Sequence, residues 1–154
     1  MSTLIELCEF NASYADAIDS DQLERWPAFF TNDCHYRITN VENESEGLMA
    51  GLVYADSRAM LVDRIAALRE ANIYERQRYR HIIGLPMIGT AQDDSVEAKT
   101  PFMVTRSVSA GPSELFATGV YQDRFVRIEN RWALARRVVV CDSSTIDTLL
   151  ALPL

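Results

Sequence analysis

Apolar positions at the start of the chain recur at helical spacing. Leu4, Leu7, Cys8, Asn11, Ala15 and Ile18 share one helical face, a buried stripe with a single polar interruption at Asn11. Asp21 and Glu24, three residues apart, form a capping-box pattern and predict a short second helix that carries Leu23 and Trp26 inward. Pro27 lacks the N–H that a helix needs, so this helix should break before Phe29 and Phe30. The period then drops to two. Cys34, Tyr36 and Ile38 alternate with His35, Arg37 and Thr39, as in a half-buried strand. An acidic loop, Glu42-Asn43-Glu44-Ser45-Glu46-Gly47, ends it, and residues 48–54 return as a short second strand. Asp56 or Ser57 caps a third helix whose stripe is Leu61, Ile65 and Leu68, with Asn72 as its stop.

The remainder reads as strands over residues 80–90, 96–109, 115–128 and 132–142. Gln92-Asp93-Asp94-Ser95, Gly111-Pro112-Ser113 and Glu129-Asn130-Arg131 supply turn chemistry between them. Short turns between long strands make antiparallel neighbours, so this half is a meander. The apolar face of the third of these strands changes between Leu115–Ala117 and Phe125, which predicts a bulge or bend near Gly119. The layout is α+β over residues 1–154 as a single domain: N-terminal helices packed on the concave face of a long curved antiparallel sheet.

Composition narrows the partners. A 154-residue chain with 48% hydrophobic residues can bury a core without disulfides or a structural metal. The net charge of -7 argues against nucleic acid and against anionic lipid, both of which require a clustered basic surface. Met1-Ser2-Thr3 leads into Glu6 and Glu9 without a basic, apolar leader, and no run approaches the roughly 20 apolar residues of a membrane span. Cys8, Cys34 and Cys141 are odd in number and lack metal-type spacing, so they read as reduced thiols. The expected compartment is the cytoplasm.

Several residues could carry chemistry, and each has a plainer reading. Asp33 and His35 share a strand face and could, with His81, make a two-histidine, one-carboxylate iron site. Equally, His81 could hydrogen-bond within the core or an interface, with His35 at a strand edge. A cone-shaped cavity could run acid–base chemistry of the isomerase or dehydratase type with Asp33, His35 or His81 and a tyrosine, Tyr14, Tyr36 or Tyr54. Tyrosines on half-buried strands are also ordinary amphipathic core residues. Cys34 and His35 are strand neighbours that point to opposite faces, so they are no dyad. Neither a phosphate-cradling glycine loop nor a Gly-x-Ser-x-Gly elbow occurs. The basic cluster Arg76, Arg78, Arg80 and His81 and the pair Arg136-Arg137 stand out in an acidic chain. They read either as solvated faces or as a subunit interface, for which arginine interleaved with tyrosine is the usual composition.

Three stretches carry a family resemblance. Asp19-Ser20-Asp21 through Trp26, Phe29-Phe30-Thr31 and Asp33-Cys34-His35-Tyr36 form the first. Asp63-Arg64-Ile65 through Arg78-Tyr79-Arg80-His81-Ile82, with its Arg-x-x-His, is the second. Trp132-Ala133-Leu134-Ala135-Arg136-Arg137 with Cys141-Asp142 is the third. Together they resemble the β (small) subunits of aromatic-ring-hydroxylating, Rieske-type dioxygenases. Ala71 to Arg76, Gly84-Leu85-Pro86, Thr100 to Val104 and Leu149 to Leu154 are similar to one branch of that family, whose enzymes dihydroxylate an aromatic carboxylate. The resemblance implies a nuclear-transport-factor-2-like cone and a non-catalytic, structural assembly role. It also implies a complex with a large catalytic α subunit, as α3β3, and contacts with other β subunits. The Rieske [2Fe-2S] cluster and the mononuclear non-haem Fe(II) would sit in α, and a separate reductase would use NAD(P)H. No catalytic, cofactor or metal residue is carried over to this chain. A Rieske centre takes two cysteines and two histidines in paired sets, and this chain has two histidines in all and no such spacing. The alternatives are a stand-alone isomerase or dehydratase working in the cone with Asp33, His35 or a tyrosine, and a non-enzymatic small-molecule-binding protein.

Overall fold

The computed structural model describes residues 2–47, 53–71, 77–108, 110–143 and 152–154. Helix α1 (Thr3–Asp19) is capped by the Ser2 hydroxyl, which accepts the Ile5 N–H, and it buries Leu7, Asn11, Tyr14, Ala15, Ala17 and Ile18. The stripe is close to the expected one, but Leu4 faces solvent and Tyr14 lies at the centre of the buried face. Next comes a 3₁₀ segment, Leu23–Phe29, with Leu23 and Trp26 fully buried. The expected capping box does not form. Asp21 adopts a left-handed backbone, and its carboxylate and that of Glu24 both turn to Arg69 at 2.9 and 2.8 Å. Pro27 lies inside the segment, where the tighter turn needs fewer amide donors than a full α-helix.

Strand β1 (Phe30–Asn40) points Cys34, Tyr36 and Ile38 inward, as the alternation requires. Its outward residues Arg37 and Thr39 are also covered, and Glu44 pairs with Arg37 at 3.0 Å. Glu44 belongs to a short helix, α2 (Val41–Ser45), where a loop was expected. Asn40 caps it by accepting the Asn43 N–H, and two acidic residues in its first turn suit the positive end of a helix. Strand β2 (Val53–Ala55) pairs antiparallel with β1. Helix α3 (Arg58–Ala71) buries Leu61 and Ile65 and is capped by Ser57, whose hydroxyl accepts the Met60 N–H. The expected stop at Asn72 and residues 48–52 lie outside the described residues.

The expected strand at 80–90 is two strands, β3 (Gln77–Ile83) and β4 (Met87–Gln92). Gly84-Leu85-Pro86 interrupts the ladder: Gly84 still donates its N–H to the Pro101 carbonyl of β5, but Pro86 has no N–H to donate, and pairing resumes at Met87. Both halves pair with β5 (Ser95–Val108), which continues through β6 (Ser113–Ile128) to β7 (Arg131–Cys141) as an antiparallel meander. The last hairpin turns on Glu129 and Asn130, both with positive φ, as a two-residue type I′ turn requires. The sheet order is β2-β1-β7-β6-β5-β3, with β4 also on β5. One pairing departs from the all-antiparallel expectation: β1 runs parallel to β7. Helix α1 lies against β3 and the 3₁₀ segment, and α3 against that segment and β1, so the helices cover the concave face. Among the described residues no helix is long and apolar enough to cross a membrane.

The curvature does not come from a bulge at Gly119. Register shifts fall where Val104 and Thr105 face Ala117 and Leu115, and where Arg124 and Phe125 face Arg136 and Leu134. Phe116 on β6 and Ala135 on β7 are therefore the extra residues that bend the sheet. Gly119 is in regular register, and its role is close approach. A Cβ there would collide with the Val140 carbonyl oxygen and press to 3.0 Å on the Phe102 ring. Gly119→Ala should therefore lower stability by about 1–3 kcal/mol, the usual cost of overpacking a filled core. A urea unfolding midpoint checks this, and an unchanged midpoint would contradict it.

Candidate functional site

The second bulge sets the polar centre of the cone. By skipping Ala135, it turns Leu134 and Arg137 to the same inner face and pairs Arg137 directly opposite Asp123 of β6. The fully buried Arg137 guanidinium donates to both Asp123 carboxylate oxygens at 2.8 Å, and to Asn11 Oδ1 of α1 at 2.7 Å. It also lies over the rings of Tyr14 and Tyr121, at 4.3 and 4.0 Å from their centroids. Burial pushes the Asp123 carboxyl up, and the Arg137 charge works against that. Two parallel N–H···O contacts at 2.8 Å are those of an ion pair, so Arg137 stays charged and holds Asp123 ionised. The polar break at Asn11 in an otherwise apolar stripe is thus the helix's contribution to this network.

Two tyrosines of the cone are also committed. Tyr14 and Tyr36 donate their hydroxyls to the Leu154 backbone oxygen at 2.9 and 3.0 Å. Leu152 and Leu154 are buried among the core residues, so the cone is filled by residues 152–154 of its own chain. Burial raises the pKa of Tyr14, and raises those of Tyr36 and Tyr121 well above the ordinary phenol value. These groups hold protons firmly, as structural donors do.

The candidate acid–base and metal residues do not converge. His81, on β3, faces into the cone, where its Nδ1 meets Asp19 Oδ1 at 2.7 Å and its backbone N–H meets Asp19 Oδ2 at 2.8 Å. His35 faces the other side of the sheet and pairs with Asp56 at 3.0 Å, and Tyr54 donates to the same carboxylate at 2.5 Å. Those two bonds hold Asp56 below the usual carboxylate range, the Tyr54 hydroxyl more than His35. Asp33 is exposed and joins neither histidine. Burial lifts the Cys34 thiol to about 11 and the Cys141 thiol to about 12, which leaves them protonated and poorly nucleophilic. Two imidazoles on opposite faces of a sheet cannot join two thiolates around a Rieske cluster, so these residues do not fit that group. Among the described residues, no group of three or more His, Cys, Asp or Glu could hold a metal ion.

The candidate interface residues divide by face. Arg78 and Arg80 are exposed on β3, a strand at the edge of the sheet, and Arg136 is exposed on β7, 3.9 Å from Glu97. His81 and Arg137 lie inside the cone, and Arg76 lies outside the described residues. The pattern reading passed over the apolar company of these arginines. Ile82 and Met103 are cross-strand neighbours, both exposed, and Leu85 and Met87 at the β3–β4 corner are 71% and 72% exposed. The signal was available in Leu85-Pro86-Met87, where a proline interrupts a strand and leaves its apolar flanks uncovered. A separate depression of about 610 Å³ lies between α1, the 3₁₀ segment and the start of β7, lined by Glu6, Phe10, Arg25, Phe29, Arg131 and Trp132.

Comparison with known proteins places this architecture. The family described as "Ring hydroxylating beta subunit" matches residues 13–148. The chain belongs to that family. It is 57% identical over 150 residues to the terephthalate 1,2-dioxygenase terminal oxygenase component subunit beta 1 of Comamonas sp, covering 97% of each chain. It is 36% identical over 154 residues to the anthranilate 1,2-dioxygenase small subunit of Burkholderia cepacia, covering 100% of this chain and 96% of the relative. Among solved structures, a protein assigned as the beta subunit of an aromatic-ring-hydroxylating dioxygenase from Novosphingobium aromaticivorans superposes with a TM-score of 0.91. The two are 36% identical, with 98% of this chain and 96% of that one covered. The chain is thus a subunit of an oxidoreductase, with the nuclear-transport-factor-2-like cone of its neighbours.

The buried pair gives a quantitative expectation for this β subunit. Arg137→Met strands the Asp123 carboxylate in the core and should cost ~3–5 kcal/mol. The double variant Arg137→Met/Asp123→Leu should recover much of that loss, because no charge is then left unpaired. Chemical denaturation of the single and double variants checks the coupling, and strictly additive losses would contradict it.

Proposed function

We propose that this β subunit has no active site and serves as the assembly component of an oxygenase that dihydroxylates an aromatic carboxylate, terephthalate first among them. Support for the substrate is the 57% identity, over nearly the whole chain, to a terephthalate dioxygenase subunit. Support for the non-catalytic role is the filled cone: the hydroxyls of Tyr14 and Tyr36 are spent on Leu154, its arginine on Asp123, and its candidate acid–base residues are divided between two faces. A benzoate- or salicylate-type acid is the second choice of substrate.

In this reading the large α subunit holds the Rieske [2Fe-2S] cluster and the mononuclear Fe(II). Three copies of each chain form α3β3, and a separate reductase draws electrons from NAD(P)H, all in the cytoplasm. The docking edge is β3 with its corner, where Arg78 and Arg80 flank exposed Ile82, Leu85 and Met87. Arginine beside exposed aliphatic and methionine side chains suits a desolvated interface with a polar rim. Arg136 extends the basic character onto the outer face of the sheet, while His81 and Arg137 stiffen the strands from within.

Charge reversal tests the edge. Arg78→Glu/Arg80→Glu should leave the fold of the isolated chain unchanged and weaken its association with the large subunit by tenfold or more, about 1.4 kcal/mol at the least. The assembled fraction on a sizing column, together with the rate of terephthalate oxidation, reads the effect. An unchanged hexamer would sink this assignment of the interface.

A further inference from the structure

The outer face of the sheet, away from α1 and α3, carries cations in an order that cross-strand register fixes. Glu97 of β5, Arg124 of β6, Arg136 of β7 and His35 of β1 are successive register partners, so they form one row across four strands. Arg124 and Arg136 are therefore direct neighbours, with Cβ atoms about 4.5–5.5 Å apart, and like charges set opposite each other repel. Lys99, two residues along β5 from Glu97, is on the same face. Glu97 is one carboxylate for two arginines and comes within 3.9 Å of Arg136, whereas Asp56 is taken by His35 and the Tyr54 hydroxyl. Arg124 and Lys99 make no ion pair among the described residues. All three cations are exposed, and a depression of about 310 Å³, lined in part by Lys99, Gln122 and Arg136, opens beside them.

A matching group of the opposite sign lies elsewhere on the chain. At α2 the Glu46 N–H bonds to the Glu42 carbonyl at 3.1 Å, which closes one helical turn and puts both side chains on one face. Side chains four apart on a helix have Cβ atoms about 5–6 Å apart, close to the spacing of the two arginines. Glu44 is spent on Arg37, but the Glu42 and Glu46 carboxylates are exposed and make no ion pair among the described residues. Val41 beside them is 48% exposed. These glutamates do not meet the arginines of their own chain. Helix α2 follows Asn40, whose register partner Cys141 is five residues, or about 16 Å, along β7 from Arg136.

We propose that the outer sheet face is the docking surface for a second copy of this chain, whose α2 sets Glu42 and Glu46 against Arg124 and Arg136. The inference rests on the assembly role proposed above and names the surfaces by which copies of the chain meet. The carboxylate pair and the arginine pair match in sign, number and spacing, and a guanidinium suits a carboxylate bidentately. Docking also relieves the repulsion between the two arginines, and the depression beside Arg136 has room for Val41. Copies with a net charge of -7 repel as wholes, so local complementarity decides how they meet. The two surfaces differ, so the contact is head to tail, and such contacts close into a ring when the rotation between copies allows. Arg124 and Arg136 lie on β6 and β7, apart from the β3 edge assigned to the large subunit, so one copy can engage both partners.

Sedimentation of the full-length chain without the large subunit, over a range of concentrations, tests the contact. The unmodified chain should self-associate, and raising the salt should weaken that association. Arg124→Glu/Arg136→Glu and Glu42→Arg/Glu46→Arg should each weaken it by at least about tenfold in concentration. A chain carrying all four substitutions should regain association, because opposite charges again face each other at every contact. Three results overturn the proposal: a monomeric unmodified chain, association that neither pair of substitutions weakens, or a fourfold variant that melts like the unmodified chain yet stays apart. Should a charge reversal prevent folding, Arg124→Gln/Arg136→Gln and Glu42→Gln/Glu46→Gln carry the same expected losses, and undiminished association in both overturns the proposal. Copies that stay apart while the large subunit still binds mark a failure of this inference alone, and the reverse pattern marks a failure of the assembly role.

Discussion

A single buried arginine organises this molecule. Arg137 is the last inward residue of β7 before the apolar run Val138 to Cys141, and it ties three elements at once: Asp123 of β6, Asn11 of α1, and the rings of Tyr14 and Tyr121. A guanidinium without water needs a carboxylate and further acceptors in fixed directions, so it tolerates only one docking of the helix on the sheet. The bulge at Ala135 supplies the condition for this, because without the extra residue Arg137 would point to the outer face. Helix position and the packing of the tyrosines therefore follow from one local irregularity and the charge that it turns inward.

That solution has a consequence for function. A cone braced across its centre by an ion pair and closed by residues 152–154 has committed Arg137, Asp123 and the hydroxyls of Tyr14 and Tyr36 to structure. Chemistry on an aromatic ring needs an open position beside a reactive group, and the two histidines are on opposite faces of the sheet, each engaged with a different aspartate. What remains exposed includes arginines on an edge strand, with uncovered Ile82, Leu85 and Met87 beside them.

Much of this was legible in the order of residues, because burial on one face writes itself as a period. The stripe of α1, the inward set of β1, the Ser57 cap and the hairpin turns follow from periodicity and turn chemistry. The departures share a cause: a tertiary partner outbid a local signal. Asp21 and Glu24 have the spacing of a capping box, yet Arg69, some 45 residues on, holds both carboxylates. Gly119 reads as a bend, whereas its lack of a side chain answers the approach of Val140 from the next strand. The site divided in the same way. Arg78 and Arg80 stand on the surface as the charge pattern suggests, while Arg137, identical in type and adjacent to Arg136, lies inside. Only the bulge separates the two, and a bulge depends on cross-strand register, which periodicity along one strand does not encode.

The most direct test of the central claim, that this chain assembles an oxygenase without taking part in its chemistry, is made on the complex. This chain and a large subunit of the same enzyme family would be co-expressed, and the mass and iron content measured by light scattering and elemental analysis for the complex and for this chain alone. The account predicts one species with the mass of three copies of each chain, with all of its iron retained by the large subunit and none by this chain. A chain that stays apart from the large subunit, or that binds iron and converts an aromatic acid unaided, would contradict it.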